Sequence, residues 1–203
     1  MTGAGAAVMV LPLAFATQLA TATVLRIATE RPYRQVEALR LQDYPVTLGG
    51  GNARLTVSHE YGTYIEDARA AAGKAKFIPG TPMIDLSGVS PGILYVLGAT
   101  SAGQAWSLGG YPWSDKLAIE MRRSVDCQVL AASWLLAEPN GQFKLSPRVL
   151  SSFGADLTSD YEEAGTFMAP IGASGFTQLR RQHLLRPARP LDVAIKACQS
   201  TRK

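Results

Sequence analysis

Two acids, Asp85 and Glu138, stand where short apolar runs end, in MIDLSG and SWLLAEPNG. In an open α/β sheet the carboxyl ends of the strands border the crevice where ligands bind. If the two runs are neighbouring parallel strands, both carboxylates face one crevice and are candidates for acid–base work. The plainer reading of Asp85 is a carboxylate that ties down the Ser87-Gly88 turn by accepting backbone hydrogen bonds. Ser90-Pro91 is a hydroxyl cap followed by proline at the first helical position. The amino end of that helix directs free N–H groups at the crevice, a setting for an anion. Ser87, Gly88 and Ser90 are therefore candidate ligand-binding residues. Trp106, Tyr111 and Trp113 join them, displayed by the glycine-containing loop TSAGQAWSLGGYPW. Such rings stack on sugars, bases or lipid headgroups, or fold back into the core.

What is missing limits the chemistry. The chain has no Gly-x-Ser-x-Gly elbow, His-Glu-x-x-His, dinucleotide Gly-x-Gly-x-x-Gly or Walker sequence. Gly49-Gly50-Gly51-Asn52 reads as a hairpin turn, because no Lys-Ser/Thr pair and no helix follow it. Neither His59, in a helical first turn, nor His183, on a strand, has a ligand partner at metal spacing, and no metal site or cofactor is expected. Cys127 and Cys198 are too few and too distant for a metal knuckle. They either pair in an oxidising compartment or stand as one buried and one tail thiol, and the second reading is preferred.

The elements that must position these residues follow from the apolar pattern of the 203-residue chain. Residues 4–27 form an apolar run, uncharged until Arg26, of about the length that crosses a bilayer as a helix. A signal peptide and a buried core helix are the competing readings; the first lacks a basic n-region. A basic connector, residues 28–44, leads to an expected hairpin (46–48 and 54–57). A helix capped by Ser58 then runs over 59–72 to Gly73, burying Tyr61, Tyr64, Ile65, Ala68 and Ala72. A strand over 83–86 and a short helix over 91–97 follow. Ser114-Asp115 caps a helix over 116–125, with Leu117, Ala118, Met121 and Val125 inward. Residues 129–137 read as a central strand, and a second Ser-Pro start opens a short helix ending at 153–154. An edge strand over 160–168, with Tyr161 and Phe167 on one face, precedes a strand over 176–185. The basic residues 187–203 read as a loose tail or weak terminal helix.

The fold class expected is α/β: a small mixed sheet with flanking helices over residues 45–186, preceded by one apolar helix over residues 1–27. The net charge of +4 is concentrated in two arginine-rich flanks. Without aromatic interleaving these suit a lipid surface and not nucleic acid.

The segments PGTPMIDLSGVSPGILYVLG, WSLGGYPWSD and SWLLAEPNG, behind an apolar helix and a basic connector, carry a resemblance. The chain resembles the carboxyl-terminal soluble domain, with its preceding transmembrane helix, of uncharacterised bacterial multi-pass membrane proteins similar to GT-C type glycosyltransferases. The catalytic carboxylates of that superfamily lie in loops between amino-terminal membrane helices, so none is carried over here. The resemblance implies an accessory domain facing the extracytoplasmic side, with membrane lipid, other parts of a larger membrane protein, and a glycan or lipid-linked sugar as partners. Arg26, Arg31 and Arg34 argue for the opposite side by the positive-inside rule; the reading here follows the resemblance. The alternatives are a small α/β enzyme using Asp85 and Glu138, and a purely structural domain.

Overall fold

The computed structural model describes residues 3–32, 35–48, 53–103 and 106–202, so the turn expected at residues 49–52 and Arg34 lie outside the described residues. The apolar amino-terminal run is one helix, α1 (Gly3–Glu30), which takes Pro12 in its stride. None of its 21-residue stretch Val10–Glu30 is buried by the rest of the chain.

Strands β1 (Tyr44–Leu48) and β2 (Ala53–Val57) pair antiparallel as a separate two-stranded sheet. Helix α2 (His59–Lys74) starts where Ser58 Oγ accepts the Tyr61 N–H. It runs through Gly73; the left-handed residue that ends it is Lys76, with φ 60°. The expected stripe is buried except Tyr61, which is half-buried against the first core.

The main sheet contains β3 (Pro82–Asp85), β4 (Thr100–Ser101), β5 (Trp134–Ala137), β6 (Tyr161–Ala169) and β7 (Arg180–Pro187) in the order β4-β3-β5-β7-β6. β3 lies parallel to both β4 and β5, whereas β7 is antiparallel to β5 and β6. The sheet is therefore mixed, and helices cover both faces. Side chains alternate across it, as strand geometry requires. Met83, Leu136 and Leu184 enter a core with α2 and α3 (Pro91–Val96). Ile84, Leu135 and Leu185 face a second core, built with α4 (Ser114–Arg123), α5 (Cys127–Ala131), α6 (Arg148–Ser151) and α7 (Leu191–Thr201). The β1–β2 hairpin packs outside the first helix layer, joining Val46 and Val57 to Ile65 and Val96.

Several expectations are corrected. The apolar run 129–137 is not one strand. Asp126 accepts the Gln128 N–H and starts α5, leaving only four residues to β5. A short apolar run has no period long enough to separate buried helix from strand. β6 is an edge strand, but Tyr161 and Phe167 point to opposite cores, because an irregularity between Glu163 and Gly165 shifts the register. The strand expected over 176–185 begins only at Arg180.

Helix α4 is capped by Trp113 in the left-handed region, φ 70°, and not by Ser114 or Asp115. Asp115 instead accepts the Ser146 N–H at 2.8 Å. Leu117 is exposed and Arg122 is buried in its place.

Residues 191–201 form a packed helix rather than a loose tail. Cys198 on α7 is 1% exposed and bonded to Cys127 on α5. The two-thiol reading is thereby overturned: the cysteines lie 71 positions apart in sequence but 5.7 Å apart between Cα atoms. Replacing both cysteines with serine is expected to cost about 2–5 kcal/mol. Urea unfolding checks this; an unchanged midpoint would mean that packing alone holds α7.

Candidate functional site

β3 and β5 are parallel neighbours, with Asp85 opposite Leu136, so the two acids do stand at adjoining strand ends. Both are buried, Asp85 fully. Each is engaged by protein groups.

Asp85 closes the turn that follows it. One oxygen accepts the Ser87 N–H at 2.9 Å and the Ser87 hydroxyl at 2.6 Å; the other accepts the Ser90 N–H at 2.9 Å. These are the contacts of the turn-holding reading. Burial pushes the Asp85 carboxyl above its ordinary range, while the donors from Ser87, Ser90 and Gly88 pull it back. Buried Arg122 donates to the Ala118 carbonyl at 2.7 Å. Its guanidinium is pushed down to about 10 by burial, which the Asp85 charge opposes.

Glu138 belongs to a second knot. Its carboxylate accepts from one terminal nitrogen of Arg180, at 2.8 and 2.6 Å, and from Gln182 Nε2 at 3.0 Å. The other terminal nitrogen of Arg180 donates to the Ala173 carbonyl at 2.9 Å. The guanidinium also lies 4.1 Å from the Phe176 ring centroid. Arg180 Nε is buried with no hydrogen-bond partner among the described residues. Gln182 spans to the helices: it accepts from Tyr64 Oη at 2.6 Å and donates to Ser90 Oγ at 2.9 Å. Burial pushes the Tyr64 hydroxyl well above the usual phenol range, so it stays a donor.

Ser90 joins the two knots, its N–H bound to Asp85 and its hydroxyl to Gln182. Its side chain makes no cap bond to α3, contrary to the expected capping role. Sequence reasoning missed Arg180, Gln182 and Tyr64 as members of this network. The available signal was parity: residues 180, 182 and 184 share one face of β7, and Leu184 is core.

The crevice expected at the strand ends is plugged just past Leu86. Gly88, at φ 77°, packs against Gly109 and the Phe143 carbonyl, and its carbonyl accepts the Gly109 N–H at 2.7 Å. A Cβ on Gly109 would fall 2.1 Å from that carbonyl oxygen. Open volume is found elsewhere. A groove of about 400 Å³ runs between the hairpin, α2 and α3, lined by Leu55, Val57, Tyr61, Ile65, Ser90 and Val96 among others. Ser90 is the predicted site residue that reaches it.

Ser87 is spent on Asp85. Trp106, Tyr111 and Trp113 are 56%, 68% and 78% exposed, so the loop displays its rings and does not bury them. Among the described residues, no group of three or more His, Cys, Asp or Glu is arranged to hold a metal ion. His59 stacks edge-on with Tyr44, and His183 Nδ1 lies 2.6 Å from Glu163.

A carboxylate gripped by a buried arginine and a glutamine cannot accept a substrate proton without first losing those bonds. The arrangement is that of a structural knot, with one hydroxyl at the edge of an apolar groove. Comparison with family models finds no match, and neither curated proteins nor solved structures match the chain.

Two outcomes follow from the geometry. Gly109→Ala is expected to lower stability by about 1–3 kcal/mol or more, since backbone must shift to admit the methyl group. A melting temperature equal to that of the unaltered chain would refute the plug. The second concerns pH. Asp85 binds its proton more tightly folded than unfolded, so its contribution falls as pH rises from 3.8, its ordinary value, through the raised one. Asp85→Asn should flatten that part of the stability–pH curve; a curve of unchanged slope would contradict the burial argument.

Proposed function

We propose that this chain is a membrane-anchored α/β domain with a binding or scaffolding role on the extracytoplasmic side, accessory to a larger membrane protein. The observation that carries the proposal is the exposure of α1. A helix of this length and apolarity, with its Val10–Glu30 stretch uncovered by the globule, is stable in hydrocarbon and costly in water. The disulfide supports the oxidising side of a membrane, where such bonds persist. It offsets the contrary argument from Arg26 and Arg31.

The ligand-facing feature is the displayed aromatic loop. Three exposed rings on one loop suit stacking on the sugar of a glycan or of a lipid-linked sugar. This part of the proposal agrees with the resemblance to soluble domains of GT-C type membrane proteins.

The full chain, expressed in cells, is expected to sediment with membranes and to resist extraction by alkaline carbonate. Protease added outside intact spheroplasts should then digest the globular domain. Recovery of the chain in the soluble fraction would defeat the anchor, and a protected domain would reverse the orientation.

A further inference from the structure

The groove beside Ser90 lies on the side of the domain where the chain leaves α1. Gln35, which lines it, comes five positions after Glu30. Five residues of extended chain span at most about 18 Å, so the groove rim cannot stand far from the end of the apolar helix. The exit is fastened as well: Arg40 Nε donates to Glu30 at 2.8 Å, tying the short 3₁₀ turn Leu39–Leu41 to α1.

Two further features single out this side. Val36, Leu39, Leu41, Leu55 and Tyr95 are exposed apolar side chains of the connector, the hairpin and α3. Arg26 and Arg31 supply positive charge at the end of α1, beside Ile27. Such a combination complements a molecule with a hydrocarbon chain and an anionic head.

The groove is of ligand size. Its volume of about 400 Å³ is open to solvent and walled by Leu48, Leu55, Val57, Ile65, Ile93 and Val96. Cavities of roughly 300–1,000 Å³ with apolar walls and a few convergent polar groups are the usual form of small-molecule sites. Polar groups here include Gln35, Tyr61, Ser90 and Ser174. Ser90 is held from behind by Gln182, so the knot presets its hydroxyl at the groove wall.

We propose that this groove takes one hydrocarbon chain of a phosphate-headed membrane lipid, with Arg26 and Arg31 at the end of α1 meeting the head. The proposal rests on membrane attachment through α1 but is separate from any role of the aromatic loop.

Gly92 provides the test. It lines the groove at the start of α3, and a Cβ there meets no atom within 4 Å. The backbone therefore admits a side chain at this point of the groove rim, so Gly92→Leu adds bulk there, and Leu55→Glu puts charge on the apolar wall. Gly73→Leu is the matched control, since its Cβ also meets nothing and it lies outside the groove.

The full chain is reconstituted in phosphatidylcholine–phosphatidylglycerol vesicles in which the phosphatidylglycerol carries an acyl-chain diazirine. After illumination, labelled peptides are mapped by mass spectrometry. Label is expected on peptides covering residues 53–65 and 89–96, and is lost in Gly92→Leu and Leu55→Glu but kept in Gly73→Leu. Label confined to residues 10–30, undiminished label in both groove variants, or cross-linking of a second copy of the chain to the groove peptides would overturn the proposal. Failure of the chain to sediment with the vesicles would overturn the anchor itself. Sedimentation without groove label would overturn the lipid site alone.

Discussion

The buried ion pair between Arg180 and Glu138 is the constraint on which the first face of this domain depends. With side chains 5% and 2% exposed, the pair has given up its hydration. An ion pair in that state holds only if neighbouring dipoles replace the lost water. The replacements come from separate parts of the chain. Gln182 is the next inward residue on β7, Ala173 offers a carbonyl from a 3₁₀ turn, and the Phe176 ring covers the guanidinium. Through Gln182 the pair reaches Tyr64 on α2 and Ser90 ahead of α3. One charge pair thus fixes how two helices and a turn sit on the sheet. Those elements also form the floor and one wall of the groove.

The second face is held differently. Its core is almost wholly apolar, closed by a covalent bond between α5 and α7. Arg122 is the exception, and the Asp85 charge at the strand end favours its charged form against burial. Asp85 sets the turn after β3; Glu138 sets the approach of β7. Chemistry at these positions would dismantle the packing that places them, whereas α1 and the rings of Trp106, Tyr111 and Trp113 are exposed.

Much of this architecture was legible in the residues. Ser58 and the alternation in the hairpin act locally, within one turn of backbone, and the elements follow them; each Ser-Pro pair also precedes a helix, although the Ser90 hydroxyl meets Gln182 instead of capping α3. The hold of Asp85 on the turn at Ser87 was legible for the same reason, since that bond closes within two positions, whereas its bond to the Ser90 N–H was not read. Long-range effects were hidden. Glu138 meets Arg180 across 42 positions, and Cys127 meets Cys198 across 71. Nothing local distinguishes Arg180 from the exposed arginines near it, and only its shared parity with Leu184 marks it as inward. The plug past Leu86 was equally hidden, because it depends on Gly109 and Phe143 arriving from distant loops.

The most direct test is a double-mutant cycle on the ion pair, using Glu138→Leu, Arg180→Met and the combined variant, with stability read by urea unfolding. Each single change should cost about 3–5 kcal/mol, because it strands a buried charge. The combined change should cost clearly less than the sum, leaving a coupling of about 2 kcal/mol or more. Effects that add to within about 0.5 kcal/mol would show that the two residues act independently, and would contradict the account of this fold as one organised around their contact.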